Sequence, residues 1–163
     1  MAELISFDRT LAVLKDYALA AQDLYKDKLL WSGRVATGGL IDSVRTEVVG
    51  PDGRRISVLL HVSEVWKWVE WDTEPHWPPP GALLNWIEAK PVIPYPDARG
   101  RIPTPRQLDF LIRRKIGREG TKGSHDLQHT LQELNAAYNE KIAQAVAEDF
   151  AAAADVILRV FAR

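Results

Sequence analysis

The chain contains no cysteine, which excludes disulfides, thiol catalysis and cysteine-bearing zinc sites and fits a reducing cytosol. It also lacks an excess of charge of either sign. Its 21 Lys+Arg stand against 22 Asp+Glu, a net charge of −1, so wholesale electrostatic capture of nucleic acid is not expected. No uncharged apolar run approaches the roughly 20 residues of a membrane span. The opening stretch MAELISFDRT carries Glu3 and Asp8 where a signal peptide has a basic segment and an apolar core. Neither classical export nor membrane insertion is therefore expected. What is present, 46% apolar and 26% charged residues in 163, is the composition of a globular protein, and the length predicts a single domain over 1–163.

The hydrophobic spacing predicts an α+β fold: a small antiparallel β-sheet packed by an N-terminal helix and a long C-terminal helix. Leu11, Leu14, Ala18, Ala21, Tyr25 and Leu29 recur every three or four residues within about 8–30, the pattern of an amphipathic helix. A glycine-bearing stretch, SGRVATGGLIDSV, follows, with a short helical turn expected at Leu40 to Val44. Strand, tight turn and strand are expected at Arg45 to Val49, Gly50 to Gly53 and Arg54 to Val62, with Ile56, Val58, Leu60 and Val62 facing inward. Gly81 to Lys90 reads as a short helix stopped by Pro91, and the four prolines of 90–103 read as an extended connector. Thr104, Pro105 and Gln107 form a capping-box start for the next helix, with Gly117 as its stop. From Asp126 to Phe161 there is no Gly or Pro, and Leu127, Leu131, Leu134, Tyr138, Ile142, Val146, Phe150, Ile157 and Phe161 mark one long helix, about 125–161. At about 50 Å such a helix exceeds a small domain, so part of its apolar stripe is expected to meet a neighbouring subunit.

Candidate sites are few. His125 and His129 have metal-compatible spacing, with Asp126 where a metalloprotease helix carries its Glu, so a metal-dependent hydrolase is one alternative, although no third ligand is identifiable. Gly117 to Ser124 superficially resembles a phosphate loop, but Lys122 is followed by Gly123 rather than Ser or Thr, and a flexible or partner-ordered linker is the expected reading. No nucleophile with its base and orienter is recognisable, so no catalytic, metal or cofactor residues are assigned.

Two features point to binding. From Arg99 to Lys122 eight basic residues stand against Asp109 and Glu119, a local balance of +6, whereas Ser63 to Lys90 has two bases against five acids, a balance of −3. Such asymmetry suits head-to-tail self-assembly, and a nucleic-acid-binding domain using 99–122 is the other alternative. Five of the six tryptophans fall at 66, 68, 71, 77 and 86, beside acids and Pro78 to Pro80. Trp66 and Trp86 are expected in the core; Trp71 and Trp77, flanked by charge and proline, are expected at a subunit or partner contact on a loop covering about 63–104.

The string Trp68-Val69-Glu70-Trp71, Thr73, Pro75, His76, Trp77 and the prolines after it resembles the neck or tail-completion family of long-tailed bacteriophages, small proteins also called minor tail components. That family's pattern is aromatic-Val-Glu-aromatic-Gly-Thr-x-Pro-His followed by prolines. The Ser-Gly-Arg stretch from Ser32 and Leu40 to Ser43 match its earlier element, and the likeness runs over about residues 10–160. Asp72 stands where the pattern usually has Gly. The resemblance implies a non-enzymatic virion protein of the head–tail junction, in the tail or neck and in host cytoplasm during assembly. It implies a homohexameric ring that meets the connector or stopper on one side and the tail terminator or tail tube on the other, with passing contact to genomic DNA in the lumen and none to a membrane. The expected contact residues are Glu70, Trp71, Thr73, His76, Trp77, Arg113, Arg114, Lys115, Arg118 and Lys122, the last five ordering on docking.

Overall fold

A computed structural model describes residues 6–33, 35–50, 55–90, 93–96 and 98–161. The fold is α+β, with the order α1 (Asp8–Trp31), α2 (Gly39–Ser43), β1 (Arg45–Val49), β2 (Ser57–His61), α3 (Trp66–Glu70), α4 (Leu84–Ala89), α5 (Pro105–Glu119) and α6 (Asp126–Phe161). The chain divides into two compact units, each assembled from separated segments. One comprises Met1–Lys28, Val44–Val62 and Leu127–Arg163; the other comprises Leu29–Ser43 and Ser63–Asp126.

In the first unit α1 and α6 run antiparallel: Arg9 and Thr10 meet Asp149, Tyr17 bonds Asn135, and Lys28 pairs with Glu133 at 2.6 Å. Their seam is built from small residues. Ala18, Ala21, Ala145 and Ala153 are buried along it, with Tyr25 and Leu134 among the larger buried side chains, and small side chains let helix axes approach closely. The fully buried residues of α6 after its first turn are Thr130, Leu134, Ala145, Asp149 and Ala153; of the stripe that spacing predicts, Leu134 is buried and Leu127, Tyr138, Ile142, Val146 and Ile157 are half-buried. Leu131, Phe150 and Phe161 are 39%, 51% and 83% exposed. Phe150 meets Phe7 edge-on at 5.7 Å.

Asp149 stabilises the first turn of α1 from outside. Its carboxylate accepts from the Thr10 N–H at 2.9 Å, the Thr10 hydroxyl at 2.7 Å and the Arg9 N–H at 3.4 Å, a favourable place for negative charge at a helix N-terminus. Burial alone would raise this carboxyl, but the hydrogen bonds from Thr10 and Arg9 outweigh it and hold its pKa below the ordinary carboxylate value.

The sheet has two antiparallel strands, in register from Arg45 opposite His61 to Val49 opposite Ser57. The Thr46 N–H donates to the Gln22 side chain of α1 at 3.1 Å, tying sheet to helix. Ile56, Val58, Leu60 and Val62 are half-buried and Leu59 is exposed, as alternation predicts. The tight turn expected at Gly50 to Gly53 falls largely outside the described residues.

In the second unit, α5 begins as expected. The Thr104 hydroxyl accepts from the Gln107 N–H, the Gln107 side chain accepts from the Thr104 N–H at 2.9 Å, and Pro105 occupies the first turn. It does not stop at Gly117: the helix runs to Glu119, and Gly120, at φ 70°, caps it. The buried Asp109 of α5 accepts from the N–H groups of Gly81 and Leu83, both at 3.2 Å, and so fixes the turn that leads into α4. α3 (Trp66–Glu70) lies within the stretch of about 63–104 expected as a contact loop.

Candidate functional site

Residues 70–77 form an ordered strap across the C-terminal end of α5 and the loop after it. α3 hands the chain over at Trp71, whose N–H still donates to the Lys67 carbonyl at 3.1 Å. Thr73 then makes an antiparallel bridge with Thr121: its N–H donates to the Thr121 carbonyl at 2.8 Å, the Thr121 N–H donates to the Thr73 hydroxyl at 3.0 Å, and the two hydroxyls lie 2.8 Å apart. The His76 N–H reaches the Ile116 carbonyl at 3.3 Å, and the Arg113 Nε donates to the Pro78 carbonyl at 2.7 Å. Further back, the Ser124 and His125 N–H groups donate to the carbonyls of Val69 and Glu70.

Three glycines make room for this strap. A Cβ at Gly117 would lie 2.5–2.8 Å from the Trp77 indole, one at Gly120 would lie 1.9 Å from the Thr73 carbonyl oxygen, and one at Gly123 would lie 2.1 Å from the Glu70 carbonyl oxygen. The glycine string that superficially resembled a phosphate loop is thus a track for close backbone approach. It is neither a flexible linker nor a segment awaiting a partner for its order, because the strap already bonds it at Ile116, Thr121, Gly123, Ser124 and His125. A glycine at every third position was the available signal; its meaning required knowing which distant segment crosses there.

Asp72, which replaces the expected Gly, needs no left-handed backbone: among the described non-glycine residues that conformation occurs at His125, with φ 54°. The Asp72 carboxylate instead accepts from the Gly123 N–H at 2.8 Å and lies 3.7 Å from His125 Nε2. His125 also meets Trp71 edge-on at 5.8 Å. His125 precedes α6 in a left-handed turn, so the one-turn helical geometry expected of His125 and His129 does not form. Among the described residues no group of three or more His, Asp or Glu side chains is placed to hold a metal ion, and no helix is long and apolar enough to cross a membrane.

The expected contact residues separate into two sets. Glu70 is 1% exposed, so it belongs to the interior rather than to an accessible surface. Arg113 is turned inward as well, pairing with Asp109 at 3.7 Å and holding Pro78. Thr73 is half-buried and committed to the bridge. Trp71, His76 and Trp77 are on the outside, as are Arg114, Lys115, Arg118 and Lys122. Trp66 and Trp86 are not fully buried; the core of this unit holds Leu29, Glu70, Ile87 and Asp109 instead. Trp86 and the exposed Trp68 line a cleft of about 710 Å³ floored by Leu83, Ile112 and Ile116 and edged by Lys90, Lys115 and Lys122. The result is an exposed aromatic surface on a hydrogen-bonded backbone, with basic residues beside it.

Comparison with protein-family models, curated proteins and solved structures finds no match to this chain.

Proposed function

We propose that this chain is a non-enzymatic assembly protein, a tail-completion or neck-ring component of the head–tail junction of a long-tailed bacteriophage. The observation that carries the reading is the strap. Of the residues with the most specific family likeness, Glu70, Trp71, Thr73 and Trp77 pack across Gly117, Gly120 and Gly123, and His76 bonds the Ile116 carbonyl beside them. Their backbone is fixed while Trp71 and Trp77 remain about half exposed. Rigid aromatic side chains presented this way lose little conformational freedom on binding. The partners are further copies of the chain in a homohexameric ring and the connector or stopper and tail proteins on either side, with genomic DNA passing through the lumen. The site of action is the virion neck or tail.

Trp71→Ala tests the contact with least disturbance, because Trp77 also packs on Gly117. The variant protein should stay folded by circular dichroism while heads and tails fail to join. Infectious particles at the normal yield from a Trp71→Ala, Trp77→Ala double variant would overturn the assignment.

A further inference from the structure

The outward face of α5 carries a second surface, distinct from the strap. Asp109, Ile112 and Ile116 point into the unit, and the opposite arc of the helix presents Phe110 and Leu111, 52% and 46% exposed. Ile102, from the segment entering the helix, is 67% exposed and joins them in a groove of about 550 Å³. Arg106, Arg114 and Arg118 are exposed on or beside this face, and none of them makes an ion pair among the described residues. Arg106 to Arg118 spans about 18 Å along the axis, roughly three turns.

We propose that this groove docks an acidic amphipathic segment of a protein partner. Apolar side chains of the segment enter between Ile102, Phe110 and Leu111, and its carboxylates meet the three guanidiniums. A space of this volume accepts two or three large side chains, within the roughly 300–1,000 Å³ of ordinary binding clefts. Arginine is suited to paired, bidentate contacts with carboxylates. The apolar floor favours protein over nucleic acid: a duplex backbone offers phosphates to the arginines but nothing that would bury Phe110, Leu111 and Ile102. Because the chain as a whole is near neutral, the three unpaired arginines are a local feature and not a by-product of a basic protein. This inference uses none of the strap residues and adds a groove, at Ile102, Phe110 and Leu111, that the head–tail reading does not include; Arg114 and Arg118 are common to both.

The test is fluorescence anisotropy of the full chain with a labelled peptide of about 18 residues, roughly five helical turns, bearing leucines at three-or-four spacing and glutamates elsewhere. The same peptide with lysines for glutamates, and a DNA duplex, serve as comparison probes. Saturable binding of the glutamate peptide is expected, with none of the lysine peptide. Phe110→Ala and, separately, Arg114→Glu with Arg118→Glu should each weaken it about tenfold or more. Circular dichroism checks that each variant is folded, and the exposed arginine pair keeps the test decisive if Phe110→Ala perturbs the fold. Failure of the glutamate peptide to bind at low salt would overturn the proposal. So would duplex binding that Phe110→Ala leaves unchanged, which marks a phosphate site, or a Phe110→Ala variant that dissociates an oligomer of the free chain, which marks a face covered by another copy.

Discussion

At Gly120 a methyl group would sit 1.9 Å from a backbone oxygen, in a conformation with φ 70° that side chains rarely adopt. Neither the Thr73 carbonyl nor the helix end can yield cheaply, so Gly120→Ala should unfold the protein or cost more than about 3 kcal/mol, read by urea denaturation. At Gly117 the obstacle is the Trp77 ring, a side chain that can swing away. Gly117→Ala should cost about 1–3 kcal/mol and shift the tryptophan emission to longer wavelength as Trp77 becomes more exposed. Asp149 gives a pH-dependent counterpart. Its pKa is lower in the folded than in the unfolded chain, so its stabilisation is complete above the unfolded value and is lost as pH falls through the folded one. Asp149→Asn should cost about 1–3 kcal/mol at neutral pH, and the gap to the parent should close below about pH 4. These residues were visible in the sequence but their roles were not. The partner of Gly120 is Thr73 and the partner of Asp149 is Thr10, and spacing along the chain carries no information about pairings that distant.

Element boundaries were legible where local chemistry sets them. The Thr104–Gln107 capping box, the Gly39–Ser43 turn and the whole of α6 from Asp126 lie where the sequence predicts. Thr104→Ala should remove one half of the box and cost about 1 kcal/mol in thermal or urea melts. Gly117 was misread because a glycine needed for close approach has the same sequence signature as a helix stop. The face of α6 was legible at Leu134, Tyr138, Ile142, Val146 and Ile157, which are buried or half-buried. Ala145, Asp149 and Ala153, which the seam with α1 also buries, were not legible, because side-chain size at a helix crossing is set by the opposing helix. Ala145→Leu should therefore destabilise by about 1–3 kcal/mol through overpacking. Leu131→Ser, on the exposed side, should stay within about 0.5 kcal/mol of the parent. Urea denaturation of both variants checks which face is buried. The tryptophans were misassigned for a related reason: Trp66 and Trp86 resemble core residues by size, but the interior of their unit is filled by Leu29, Glu70, Ile87 and Asp109.

For the molecule as a whole, each of the two units closes through segments from separated parts of the chain. The exposed apolar inventory is large for a chain of this length: Trp31, Trp68, Trp71 and Trp77 in one unit, Phe150, Leu158 and Phe161 in the other. We propose that assembly covers these residues, beginning with other copies of the chain. Light scattering of the purified protein over a concentration series, at low and moderate salt, tests this most directly. The expected mass is near six times 18.3 kDa, decreasing as salt weakens the contacts between basic and acidic faces. A mass of one chain at every concentration and salt would contradict it.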